Sequence, residues 1–290
     1  MDSRQELLFL IDVMAQVISV VKVSTVDDPL EQERKIDAHN LANRFLQFAM
    51  TVLHLSDDRN SVNLPSFGNM RLRDPASMDV LTRASMEAFL VFHQVFYSPA
   101  LGDEKEFRYW IYKAVGLVEG QYLPEGKPEH QELKKEERKL IETIIDNLKS
   151  NTIFENLTPK QREGIARGHA RNLWRWSAEA NKTLSWSEIA TSAGLSPLLA
   201  RYVYGHLSGH AHSGSRSVFQ TQKAVVMGEV HKLVDPSLDT MKVLCANMIT
   251  EYTAIFKEAH DRLGLTDATK FVEAWVQIGR RLGENPQALP

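Results

Sequence analysis

The chain has 290 residues, 43% hydrophobic and 24% charged, a composition of globular proteins with apolar material for one large domain or two small ones, not of disordered chains. A formal net charge of -3 excludes a global basic field for nucleic acid, so any RNA contact must rest on a local patch. The single cysteine, Cys245, excludes an internal disulfide framework and a cysteine-built zinc site, and fits a reducing cytoplasm.

Asp2 or Ser3 caps a first helix running to about Ser24. Its apolar residues from Leu7 to Val21 are interrupted by Asp12 and Gln16 and lead to no small-residue cleavage site. The pattern is that of an amphipathic helix, with no signal peptide and no membrane span expected. Asp28-Pro29 opens a second helix to about Leu55, with Leu41, Phe45, Phe48 and Val52 at helical spacing. Residues 56–75 concentrate Asp, Asn, Ser, Pro and Gly and read as a loop. Such a length without an element of its own marks a functional or mobile segment.

A third helix from about Ala76 to Tyr97 contains Arg83-Ala-Ser-Met-Glu87, a charged pair at i,i+4 among Leu81, Met86, Phe89, Leu90 and Phe92. A pair on so apolar a helix is expected to be partly buried and to need further partners. A fourth helix follows Asp103 and places Arg108 among aromatics in Phe107-Arg-Tyr-Trp-Ile-Tyr112. Residues 118–130 break the chain with two Gly and two Pro, and a charge-rich helix with a narrow apolar seam spans Glu129 to Asn151. Thr158-Pro-Lys-Gln161 starts a helix to about Ala180, the most basic stretch, with Trp174 and Trp176 interleaved. Basic residues beside aromatics suit either a solvated face over buried Trp rings or a single-stranded RNA contact. Ser185-Trp-Ser-Glu188 caps a short helix ending near Gly194.

Ser196-Pro197 then opens a helix through Arg201-Tyr-Val-Tyr-Gly-His-Leu-Ser-Gly-His-Ala-His-Ser213. At about 100° per residue, Ser208, Arg201 and His212 lie roughly 40°, 60° and 80° from Tyr204 and share one stripe. Leu199, Val203, Leu207 and Ala211 form the neighbouring apolar stripe, and His206 and His210 lie beyond it. Residues 218–234 are ambiguous between helix and extended chain. Asp235-Pro236 starts a long helix to about Leu263, Thr266 caps a last one to about Leu282, and the tail from Glu284 is loose.

The chain is therefore expected to be an all-α multi-helix bundle of about nine helices with no significant sheet. It reads as a single helical domain over 1–290, with an N-terminal helical pair at 1–55, a polar-pocket core at 75–215 and a C-terminal helical pair at 235–283. No cofactor is expected, because phosphate-loop and dinucleotide fingerprints are missing, as is a Gly-x-Ser-x-Gly elbow. No metal is expected either: His206 and His210 have metal-compatible spacing without an evident third ligand, and neither Glu-x-x-His nor His-Glu-x-x-His occurs. Arg with His remains. A guanidinium holds a phosphate and an imidazole moves protons near neutral pH, together enough for metal-independent RNA cleavage by the 2′-hydroxyl. Arg201 with His206 or His212 would carry it. The alternative is a non-catalytic binding or scaffold protein in which these groups satisfy one another.

The order Arg83-x-x-x-Glu87, Arg108-Tyr109, Tyr204-x-x-Leu207-Ser208-x-x-x-His212-Ser213 resembles a bacterial family of helical proteins of unknown function, over about residues 75–215. The resemblance implies that Arg83, Glu87, Arg108, Tyr204, Ser208 and His212 converge in one pocket. Arg201-Tyr-Val-Tyr-Gly-His206 also resembles the signature of the HEPN ribonucleases of toxin and phage-defence systems, apart from Tyr202 where a small polar residue is usual. That resemblance implies Arg201 and His206 as catalytic groups at the interface of a homodimer, with RNA as partner.

Overall fold

The computed structural model describes residues 1–23, 28–57, 59–71, 74–98, 100, 102–122, 128–167, 170, 172–202, 205, 207 and 215–282. Asp2 caps α1 (Ser3–Ser19) with a capping box: its carboxylate accepts from the Gln5 amide at 2.8 Å, and the Gln5 side chain accepts from the Asp2 amide at 3.1 Å. Asp28 caps α2 (Pro29–Leu55), whose first residue is the proline. A hairpin follows, β1 (Ser61–Leu64) antiparallel to β2 (Gly68–Arg71), with Ser61 opposite Arg71 and Leu64 opposite Gly68. Next come α3 (Pro75–Phe92), a π-helical turn (His93–Tyr97), α4 (Asp103–Gln121), α5 (Pro128–Lys149), α6 (Thr152–Asn156) and α7 (Pro159–Ala166). A 3₁₀ turn (Leu173–Arg175) leads into β3 (Trp176–Ser177), which pairs with β4 (Lys182–Thr183). The chain continues through α8 (Trp186–Ser192), α9 (Pro197–Tyr202), α10 (Ser215–Met227), α11 (His231–Ile255), α12 (Lys257–Gly264) and α13 (Thr269–Arg281).

The all-α class holds, with two two-stranded ribbons among the described residues. Two compact units divide the chain: Met1–Phe92 with Ala190–Pro290, and His93–Ile189. The division cuts the expected 75–215 core twice, inside the third predicted helix and inside α8. In the first unit α11 is the central element, packed on α1, α3, α12 and α13, while α2 packs on α3 and α1. Leu238, Met241, Val243, Leu244, Cys245, Ala246, Met248 and Ile249 are all buried, so α11 is enclosed on nearly every side. In the second unit α4 is central, packed on α5, α6, α7 and both irregular turns, around Phe107, Tyr109, Ile111, Ile144 and Leu148.

Thirteen α-helices among the described residues replace the expected nine or so, partly because long predicted helices are divided. The helix predicted over 158–180 stops at Ala166. Leu173, Trp174, Arg175 and Trp176 are all buried, a run that one face of a surface helix could not cover, and the chain passes through the 3₁₀ turn into β3. The helix predicted from Asp235 to Leu263 begins earlier, at His231, with Pro236 inside it. It ends where Phe256 goes extended, φ -113 and ψ 113, to bury its ring 4.5 Å from that of Tyr252. The ambiguous stretch at 218–234 is helical in α10, and the predicted loop at 56–75 contains the β1–β2 hairpin. Thr266 donates to the Leu263 carbonyl at 2.7 Å as a turn residue, and α13 starts behind Ala268.

Candidate functional site

The expected convergence can be followed for part of its residues. Arg83 donates from Nε to Glu87 Oε1 at 3.1 Å along one face of α3, and the two side chains keep 24% and 37% of their exposure. The pair is thus partly buried, as expected on so apolar a helix, with Glu87 the more exposed partner. Ser196 caps α9 as expected, its Oγ accepting from the Leu199 amide at 3.1 Å. Leu199 and Leu207 are buried, as the apolar stripe requires, while Arg201 at the end of α9 is exposed. Tyr204, His206, Ser208, His210 and His212 lie outside the described residues.

Arg108 belongs to the second unit and is almost fully buried. Its Nε donates to the Trp176 carbonyl at 2.7 Å and Nη1 to the Gln94 carbonyl at 3.3 Å and Ser98 Oγ at 3.0 Å. Its Nη2 meets Glu104 Oε1 at 2.5 Å, and the same oxygen accepts from the Ala178 amide at 3.0 Å. Burial lowers the guanidinium pKa and Glu104 opposes the shift. The fork therefore clamps the π-helical turn, α4 and the β3–β4 ribbon to one another. Nearby, Arg175 lies over the Trp186 ring at 5.1 Å, and Trp174 meets Trp186 edge-on at 5.4 Å. The basic, aromatic stretch thus turns its Trp174 and Trp176 rings inward.

A site that the sequence reading missed lies in the first unit: a cleft of about 490 Å³ between α1, α9, α11 and α13. Gly279 of α13 brings two of its walls together. A Cβ there would stand 2.5 Å from Val243 Cγ1, so only glycine allows α13 this close to α11. The Gly279 carbonyl accepts from the Ser196 amide at 3.0 Å and so anchors the start of α9 to α13. Leu199, Trp275, Ile278 and Leu282 supply apolar wall, and Glu6, Asp239 and Lys242 supply the charge.

Lys242 organises that charge. It is 2% exposed, in the middle of the apolar run of α11. Its ammonium reaches Asp239 Oδ1 at 2.7 Å, Glu6 Oε2 at 2.8 Å and Ser3 Oγ at 3.0 Å, and it lies 4.2 Å from the centre of the Trp275 ring. Burial of this charge is offset by two carboxylates, a hydroxyl and an aromatic face. A lone lysine in Met241-Lys-Val-Leu-Cys-Ala246 was the signal available in the sequence, since an unpaired charge does not survive in such a run.

Another titratable pair joins α2 to α11, where His39 Nδ1 and Tyr252 Oη are 2.7 Å apart. Burial lowers the imidazole pKa and raises that of the phenol. Among the described residues no group of three His, Cys, Asp or Glu is arranged to hold a metal, and no helix is long and apolar enough to cross a membrane. Comparisons with protein-family models, curated proteins and solved structures find no match to the chain.

Proposed function

We propose that the chain is a non-catalytic helical binding protein whose ligand enters the cleft between α1, α9, α11 and α13. The observation that carries this reading is the cleft itself. Its volume lies within the range of small-molecule sites, its walls are mostly apolar, and its few charged groups are already ordered. A neutral apolar dye, N-phenyl-1-naphthylamine, tests it. One saturable site in the wild type, lost when Ile278→Trp fills the cleft, supports the reading. Binding indifferent to that substitution overturns it.

Metal-independent RNA cleavage in a toxin or defence system, by Arg201 with His206 or His212, is the second reading. The exposure of Arg201 favours it, because a guanidinium in solvent is open to a phosphate. It requires cleavage of RNA in the presence of a chelator by the wild type and its loss in Arg201→Ala; equal activity in both proteins, or none in either, ends it.

We also propose that α10 pairs with its copy in a homodimer. Val218, Phe219, Val225 and Val226 are between 59% and 81% exposed, while Ala224 is buried, so the largest apolar groups of this helix face outward. They form two pairs seven residues apart, the repeat by which one helix seats against another. Val226→Asp should give a monomer in light scattering; a wild-type chain already monomeric at high concentration counts against pairing.

A further inference from the structure

Resting on the reading of the cleft as a ligand site, we infer that its ligand is a hydrophobic primary amine bound as the ammonium ion. The head-group preference follows from donors and acceptors. An ammonium has three N–H donors, and those of Lys242 are matched by Ser3 Oγ, Glu6 Oε2 and Asp239 Oδ1. An anionic ligand would find no donor left on Lys242, the one cation among the described residues that line the cleft, and would have to compete with two carboxylates for it. The acceptor side is not exhausted. Asp239 Oδ1 takes Lys242 and, at 3.3 Å, the Ser3 hydroxyl, and Glu6 Oε2 takes Lys242. Among the described residues the second oxygens, Glu6 Oε1 and Asp239 Oδ2, accept no side-chain hydrogen bond.

Charge leads to the same class. Among the described residues two carboxylates and one ammonium leave the lining at -1. A monocation neutralises it, whereas a monoanion doubles the excess. The two carboxylates stay partly exposed, at 26% and 58%, so they mark the solvent end of the cleft, while the ammonium they share is sealed at 3%. An incoming ammonium is received by the second carboxylate oxygens at that end, and its hydrocarbon body lies along Leu199, Ile278, Leu282 and the Trp275 ring. Carboxylate–ammonium hydrogen bonds fix the head, and burial of the chain supplies most of the affinity.

Calorimetric titration of the full chain at pH 7 with hexylamine, hexanol and hexanoate separates the possibilities, because these probes share a chain and differ in head charge. Hexylamine is expected to bind at least about tenfold more tightly than hexanoate. Asp239→Asn keeps an oxygen for Lys242, with Glu6 and Ser3 still in place, and should lower hexylamine affinity about tenfold while hexanol is unchanged, thermal melting checking that the variant is folded. Ile278→Trp should abolish binding of the amine. Hexanoate or hexanol binding as well as hexylamine, with loss in Ile278→Trp, overturns the amine assignment and keeps the cleft as a site. No binding by any probe, together with no dye binding, overturns both.

Discussion

Lys242 in the first unit and Arg108 in the second are both cations nearly sealed from solvent, and each donates to several acceptors. They differ in what those acceptors are. Arg108 is held largely by backbone carbonyls and by a carboxylate that also takes a backbone amide. Such partners belong to the chain's own path, so the guanidinium works as a brace. Lys242 is held by side-chain oxygens whose carboxylates keep solvent contact and spare lone pairs at the mouth of a cleft. Burial of a cation therefore does not mark a site; partners with capacity left over, next to open volume, do.

The largest expected effect comes from removing the brace. Arg108→Ala takes the guanidinium from the Trp176 carbonyl and leaves the Glu104 carboxylate in the interior with only the Ala178 amide, and should cost about 3–5 kcal/mol. Trp110, Trp174, Trp176 and Trp186 all lie in the second unit, so tryptophan fluorescence in a urea titration reports that loss. Lys242→Met should cost less, about 1–2 kcal/mol, because Glu6 and Asp239 can turn to water. Equal losses for the two substitutions would erase the contrast.

Gly279→Ala tests the wall of the cleft. The added methyl meets Val243 and should destabilise the first unit by about 1–3 kcal/mol. Val243→Ala in the same chain should recover much of that loss in a double-mutant cycle; no recovery would show that the contact is not what requires glycine.

A smaller effect depends on pH. Burial lowers the pKa of His39 below its ordinary value, so the unfolded chain takes up the proton first as pH falls. The contribution is complete above about pH 6.5 and is lost as pH drops through the lowered folded-state value. The melting temperature of wild type should thus fall more steeply from pH 7 to 5 than that of His39→Gln; parallel curves would contradict this. The smallest effect is expected at Glu87. Its pair with Arg83 is half-solvated, and Glu87→Ala should cost no more than about 0.5 kcal/mol by thermal melting. A loss of several kcal/mol would make the pair an interior one and restore it as part of a buried network.

Local chemistry was legible in the sequence where a few neighbouring residues decide it. The caps at Asp2, Asp28, Thr158, Ser185 and Ser196 and the helical periodicity of α1, α2 and α4 are of this kind. The breaks were not legible, because tertiary packing makes them: Phe256 leaves the helix to bury its ring, and Leu173, Trp174, Arg175 and Trp176 are buried together where a surface helix would bury one face. The cleft was least legible of all. Glu6, Leu199, Lys242 and Trp275 are far apart in the chain, and the residue that brings their helices together is a glycine. The histidine-rich stretch after Arg201 stands out instead, because titratable groups are dense there along the chain. Density along the chain is a different property from convergence in space.

The most direct test of the cleft follows from tryptophan placement. Trp275 is the one tryptophan of the first unit, so its indole N–H gives a signal distinct from the four of the second. In a ¹⁵N–¹H spectrum recorded during titration with hexylamine, the Trp275 resonance is expected to move to saturation while Trp110, Trp174, Trp176 and Trp186 stay in place. A stationary Trp275, or movement confined to the other four, would contradict the cleft as the binding site.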